Sequence, residues 1–287
     1  MKKKLFAVVL ATAMSVACFS GSAFASNTED VMAEYGITSE DVQFVANIFK
    51  QINEGNDPGL METDYYETEL KFAKLGADMG NGELALWVGE IYQGGHVADV
   101  DENESIKKAF EWWEHAAELG QPRGWTNIGL IYAHRTVPGG GDNFGDIELD
   151  KDTSLKYLKK ADDAGDTKAP RYIAFTYEEA EDYENALVYY TKAAELNDTT
   201  AKYYAGKYYY EGLGTEVNYE SALKLLTDAA SSTKNVPGVK DAQYLLGVMY
   251  ENGDGMEADL DTAKEWYQAA ADFGSEDAVA ALERLAK

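Results

Sequence analysis

The sequence predicts an all-α chain, an α-solenoid of stacked helix hairpins that follows a short leader. Three observations predict it: a Gly-x-x-Tyr pattern recurs along the chain, an aromatic and alanine-rich stretch follows each copy, and glycines punctuate the two at regular steps. Self-similarity at this spacing marks a repeat architecture, in which one unit cannot bury its own apolar face and neighbours must stack.

The leader comes first. Met1 to Lys4 is basic, Leu5 to about Phe19 is apolar, and Ala23-Phe24-Ala25 is a small-x-small cleavage site before Ser26. This pattern predicts a secretory signal peptide over residues 1–25, since the apolar run is shorter than the roughly 20 residues of a membrane span. The only cysteine, Cys18, lies inside it, so disulfides and cysteine-metal sites are excluded from the mature chain. A lipid anchor on Cys18 is a poor match, because Ser15 stands where such sites usually carry leucine. The mature protein is thus expected outside the cytoplasm, secreted or in the cell envelope, and no later segment is long and apolar enough to span a membrane.

Composition narrows the partners. The formal net charge is −26, and losing the three leader lysines deepens it. Such acidity repels nucleic acid and anionic lipid, and biases partners toward basic or neutral surfaces. Disorder is excluded by the Tyr, Leu and Ala content, which is enough to build a core.

The first half of each repeat reads Val88-Gly89-Glu90-Ile91-Tyr92, Ile128-Gly129-Leu130-Ile131-Tyr132, Ala205-Gly206-Lys207-Tyr208-Tyr209 and Leu246-Gly247-Val248-Met249-Tyr250, with a degenerate copy at Ile173-Ala174-Phe175-Thr176-Tyr177. The residue before the glycine and the tyrosine after it are four apart, one stripe of a helix. A mid-helix glycine costs about 1 kcal/mol against alanine. Its recurrence predicts another backbone crossing too closely for a side chain. The second half carries aromatics and a small pair, as in Trp112 to Gly120, Tyr157 to Gly165, Tyr189 to Ala194 and Trp266 to Gly274, and its final glycine is expected to end the helix in the left-handed conformation. Asn218 and Asp259, each four residues before an alanine, are expected N-caps.

These residues resemble the Sel1-like repeat family, relatives of the tetratricopeptide repeats. The spaced pattern A-x-x-x-L-G-x-x-Y-x-x-G-x-G, then D-x-x-x-A-x-x-W/Y-x-x-A-A-x-x-x-G, is almost complete from Ala242 to Gly274, and the resemblance covers about residues 37–274. It implies a right-handed superhelix of helix pairs whose first helices line the inner surface, and a protein- or peptide-binding scaffold. The expected divisions are an N-terminal cap with a degenerate first repeat (26–80), repeats over 81–120, 121–165, 166–197, 198–240 and 241–274, and a capping helix over 275–287. The front repeat is expected to place one helix over 42–52 and a second over 67–79. The third repeat lacks the Gly-x-Gly loop. Glycine-rich Arg135 to Asp146 is an insertion in the second, and Thr233 to Lys240 replaces a short turn.

Catalytic signatures are missing. The sequence contains no nucleophile motif, phosphate loop, dinucleotide fingerprint or zinc-protease motif, so no enzyme activity and no cofactor is expected. His96 and His134 follow Tyr92 and Tyr132, with Asp99 nearby, but the spacing of a helical metal pair is lacking, and no metal site is assigned. The runs Asp99, Asp101, Glu102, Glu104 and Asp142, Asp146, Glu148, Asp150, Asp152 fail the calcium-loop pattern and read as solvated loops.

The predicted function is an exported scaffold that binds protein or peptide. A binder of carbohydrate or cell-wall polymer through exposed aromatics stays open as the alternative. The candidate contact residues form a column two positions before each repeat glycine, Trp87, Asn127, Tyr172, Tyr204 and Leu245, with Phe175, Lys207 and Tyr208 beside it. The column lies about 100° from the buried residue next to it on a helical wheel, and unlike its neighbours it varies between repeats. Tryptophan and tyrosine are frequent partner anchors.

Overall fold

The computed structural model describes residues 32–43, 62–95, 97, 99–138, 142–233 and 236–287. The described residues hold no strand and the following helices: α1 (Glu62–Asp78), α2 (Gly82–Gln93), α3 (Glu102–Glu118), α4 (Arg123–Tyr132), α5 (Lys151–Asp163), α6 (Ala169–Glu178), α7 (Tyr183–Glu195), α8 (Thr199–Glu211), α9 (Tyr219–Ala230), α10 (Val239–Asn252), α11 (Leu260–Asp272) and α12 (Glu276–Leu285). The leader, Cys18 and nearly all of the helix expected over 42–52 lie outside them. The second helix expected over 67–79 is part of α1.

The chain divides into two compact units between Ala164 and Gly165. In the first, α1 packs on α2, and α2/α3 and α4/α5 are antiparallel hairpins in sequence order. In the second, α6/α7, α8/α9 and α10/α11 are hairpins and α12 closes the last of them. Ala278 and Ala281 of α12 are buried in the cluster around Tyr267, with Leu282 and Leu285 packed beside them, which is how the terminal hairpin covers its apolar face.

The repeat glycines are required, but what approaches them is mainly a side chain rather than a crossing backbone. A Cβ at Gly89 would sit 2.4 Å from the Trp113 ring, at Gly129 2.8 Å from Leu158 Cγ, at Gly206 2.8 Å from Leu226 Cγ and at Gly247 2.5 Å from the Tyr267 ring. In each of these four hairpins one large residue of the second helix thus fills the notch left by the first-helix glycine. The backbone crossing expected there occurs instead at Gly124, where a Cβ would lie 2.0 Å from the Trp113 carbonyl oxygen. Gly120, Gly165 and Gly274 take φ of +86°, +91° and +83° and end their helices as expected.

The repeat tyrosine has a second task, carried by its main chain. The N–H of Asp150 donates to the Tyr132 carbonyl at 2.9 Å, that of Asp182 to Tyr177 at 3.0 Å, that of Asn218 to Tyr209 at 2.8 Å and that of Asp259 to Tyr250 at 2.8 Å. The same Asp or Asn side chains then cap the helices they begin, accepting from Thr153, Asn185, Ser221 and Thr262 N–H groups. Loop length can therefore vary from Glu179–Glu181 to the long insertion before Asp150 without shifting the hairpin register.

Candidate interaction surface

Within each unit the first helices present the residues that the sequence singled out. In the first unit that face is closed. Asn127 is fully buried, and Trp87 is only 9% exposed. Arg123 Nη2 donates to Glu90 Oε1 at 2.8 Å and to the Pro138 carbonyl at 2.9 Å, and the buried Gln93 amide donates to the Asn143 carbonyl at 2.9 Å. The insertion after α4 thus folds back onto the face of α2 and α4. Burial pushes the Glu90 carboxyl up to about 7, with the Arg123 guanidinium pulling it back down.

The second unit is open by comparison. Tyr172, Phe175, Tyr204, Lys207 and Leu245 are half-buried, while Tyr208 is buried at 1% exposure. Beneath them lies a tyrosine cluster. Tyr190 stacks on Tyr204 at 5.0 Å between ring centres, and Phe175 and Tyr208 meet Tyr190 edge-on at 5.7 and 5.3 Å. Phe175 also meets Tyr204 edge-on at 5.2 Å, and Tyr203 meets Tyr204 at 5.1 Å. The structure therefore brings Phe175, Tyr204 and Tyr208 together and places Trp87 and Asn127 in the core of the other unit.

Charges on this face are mostly paired within the chain. Arg171 pairs with Asp198 at 2.9 Å while its guanidinium lies over Tyr172 at 4.9 Å and Phe175 at 6.0 Å. Lys207 pairs with Glu211 at 3.9 Å. Glu178 accepts from the Tyr190 hydroxyl, and Glu251 accepts from Tyr267 at 2.8 Å and from Arg284 at 2.6 and 2.7 Å. Burial, reinforced by the Glu178 carboxylate, raises the Tyr190 and Tyr208 hydroxyls well above the usual phenol range.

Two features escaped the sequence reading. Where the residue facing the repeat glycine or alanine is tyrosine, Tyr190 or Tyr267, the residue after the repeat tyrosine is glutamate, Glu178 or Glu251, and the pair bonds. Both inserted loops also carry Val-Pro-Gly, at Val137-Pro138-Gly139 and Val236-Pro237-Gly238. Thr200, six residues before Gly206, donates to the Pro237 carbonyl at 2.9 Å, as Arg123, six before Gly129, does to Pro138.

The acidic loops have structural employment. Asp101 caps α3, Asp146 bonds Asn103, and Asp150 caps α5. No group of three or more His, Cys, Asp or Glu among the described residues is placed to hold a metal ion. His96 lies outside the described residues. His134 bonds the Ile147 carbonyl at 2.7 Å and stacks on Phe144, and His115 sits 4.0 Å from Asp78. No described helix is long and apolar enough to cross a membrane.

Helix hairpins repeated at a fixed register define an α-helical repeat scaffold. The chain belongs to the Sel1 repeat family, whose model matches residues 83–121, 140–166, 178–198, 199–233 and 240–275. It is 33% identical over 114 residues to a Sel1-repeat-containing protein, YjcO, of Escherichia coli K12, covering 39% of this chain and 49% of that protein. The chain thus spans about half the length of the curated relatives it matches. It is also 27% identical over 182 residues to rat eukaryotic elongation factor 2 kinase, a stretch covering 58% of this chain and only 24% of the kinase. Among solved structures, a Sel1 repeat protein from Oxalobacter formigenes superposes with a TM-score of 0.58 at 25% identity, over 81% of this chain and 86% of that one. The chain is a Sel1 repeat α-solenoid, a scaffold of the kind that serves protein–protein interaction.

Proposed function

We propose that the protein is exported and binds a protein or peptide partner on the first-helix face of its second unit, without catalysis of its own. Export rests on the basic, apolar and Ala23-Phe24-Ala25 sequence of the leader. The observation that carries binding is the half-buried Tyr172, Phe175, Tyr204 and Leu245, which leave aromatic and apolar area at the surface where the first unit has none in register. The sequences that vary from repeat to repeat at this column suit a surface that reads a ligand. The stretch that overlaps the kinase contains no phosphate loop or catalytic signature in this chain.

The test has two arms. Cell fractionation and N-terminal sequencing are expected to find the protein outside the cytoplasm, beginning at Ser26. Pull-down from the producing cell's envelope fraction with Tyr172→Ala, Tyr204→Ala and the parent is expected to show capture of a defined partner by the parent, and its loss in the variants at little changed melting for Tyr172→Ala. Equal capture by all three would refute the face assignment. Retention on purified wall polymer with no protein captured would refute a protein partner.

A further inference from the structure

The aromatic rings of the second unit's face form one continuous ridge. Tyr172 and Phe175 stand three residues apart on α6, and the Arg171 guanidinium lies over both. Phe175 meets Tyr204 of α8 edge-on at 5.2 Å, and Tyr204 meets Tyr203 at 5.1 Å. All four residues are half-buried, so the ridge keeps ring area at the surface. Its charges are engaged within the chain: Arg171 holds Asp198, Lys207 holds Glu211, and Glu178 accepts from Tyr190. The Tyr172 and Tyr203 hydroxyls, by contrast, have no hydrogen-bond partner among the described residues.

The chain itself shows what its first helices seat. Val137-Pro138 is tied to α4 and Val236-Pro237 to α8, and in both the proline carbonyl accepts from the residue six before the repeat glycine. The second segment runs on into Gly238, where an added Cβ would lie 2.9 Å from the Tyr203 Cβ, so it abuts one end of the ridge. Proline has no N–H, and a proline segment therefore presents carbonyl acceptors alone. The ridge is suited to that, since it offers two phenol donors while its carboxylates are already engaged. A proline-rich chain is also preformed as an extended left-handed helix, loses little entropy on docking, and packs its rings on aromatic surfaces.

We infer that the ridge of Tyr172, Phe175, Tyr204 and Tyr203 receives an uncharged, proline-rich segment of a partner protein in the polyproline II conformation. The inference rests on the face proposed above as the binding surface. The proline rings lie against the half-buried aromatic rings, and carbonyls of the segment accept from the Tyr172 and Tyr203 hydroxyls. An acidic segment is repelled by the overall charge of −26, and a basic one finds the carboxylates of the ridge already paired.

The experiment titrates the full chain with a capped hexaproline peptide, read by amide and tyrosine-ring NMR shifts. A capped hexapeptide of alternating glycine and serine, equally uncharged, serves as comparison. The expected result is saturable shifts centred on Tyr172, Phe175, Tyr203 and Tyr204, with the glycine and serine peptide binding about tenfold more weakly or not at all. Affinity for hexaproline is expected to fall about tenfold in Tyr172→Ala and several-fold in Tyr172→Phe and Tyr203→Phe. The two phenylalanine variants keep their rings and lose only a hydroxyl, so they test recognition rather than folding; unchanged amide shifts elsewhere verify this. Shifts that do not saturate, equal binding of the glycine and serine peptide, a Tyr172→Ala variant that binds as the parent, or phenylalanine variants that both do so each overturn the inference. If hexaproline fails while envelope capture still depends on Tyr172 and Tyr204, the face remains the binding surface and only its guest is wrong.

Discussion

Replacing Gly247 by alanine adds one carbon at the tightest helix contact of the last hairpin. That carbon would lie 2.5 Å from Cδ1 and Cε1 of Tyr267 and 3.0 Å from its Cγ. Carbon atoms pack best at about 3.5–4.0 Å, so the ring must retreat by about 1 Å. It has nowhere to go. Tyr267 is 1% exposed, its hydroxyl donates to Glu251 at 2.8 Å, and Glu251 is clamped by two bonds from Arg284. Overpacking of this kind costs about 1–3 kcal/mol, against a helix-propensity return of about 1 kcal/mol for losing glycine. The net expectation is a loss of about 0–2 kcal/mol, or up to roughly 8 °C of melting temperature for a chain of this size. Gly247→Leu is expected to lose more, to the point of poor folding. Gly129→Ala meets the flexible Leu158 at 2.8 Å and is expected to lose less. Thermal and urea unfolding followed by far-ultraviolet circular dichroism provide the measurement. A Gly247→Ala variant that melts above the parent would refute the packing argument.

Gly274→Ala separates conformation from packing: a Cβ there meets nothing within 4 Å, yet φ is +83°, so a loss of about 1 kcal/mol by urea midpoint is expected, and a neutral variant would remove the helix-ending role. For Glu90 the folded-state carboxyl is raised to about 7 from 4.5, which favours its protonated form, so its contribution to stability is full below about pH 4.5 and is lost as pH rises through about 7. Glu90→Gln is therefore expected to gain on the parent by about 1–3 kcal/mol at pH 8 relative to pH 4.5, and urea midpoints that shift equally at both pH values would rule this out. The melting temperature is expected to be indifferent to reductant and to EDTA, with a helical dichroism spectrum; a large drop in EDTA would point to a metal site.

Much of the fold was legible because glycine, tyrosine and alanine each report a distance. A glycine inside a helix can be explained only by something near it, and Gly89, Gly129, Gly206 and Gly247 all have that neighbour. What the pattern concealed was the neighbour's nature, since a ring from Trp113 or Tyr267 and a passing backbone exclude a Cβ alike. The main-chain task of the repeat tyrosine was invisible for a different reason. A carbonyl that accepts from Asp150 or Asp259 leaves no mark on side-chain choice, and only the Asp or Asn at the other end is selected, as an N-cap. Tyr190 with Glu178 and Tyr267 with Glu251 did carry a readable signal, a tyrosine facing the small repeat position together with a glutamate just after the repeat tyrosine.

The candidate surface was half legible, and the unreadable half has a physical cause. A helical wheel gives the direction in which Trp87 and Tyr204 leave their helices, and they leave in the same one. Their exposure depends on what lies beyond, which is a property of other segments. On the face of α2 and α4 the insertion returns to Arg123 and Gln93 through the Pro138 and Asn143 carbonyls, and Trp87 and Asn127 end in the core. On the face of α8 the second Val-Pro-Gly loop is tied at Thr200, at the helix start, and Tyr204 one turn on keeps part of its ring at the surface. The Pro138 and Pro237 carbonyls thus accept at the same register, six residues before the repeat glycine, and the two faces differ in that the first insertion goes on to reach Gln93 through the Asn143 carbonyl. What the neighbouring segments cover, more than the identity of the aromatic residue, sets which repeats keep ring area at the surface.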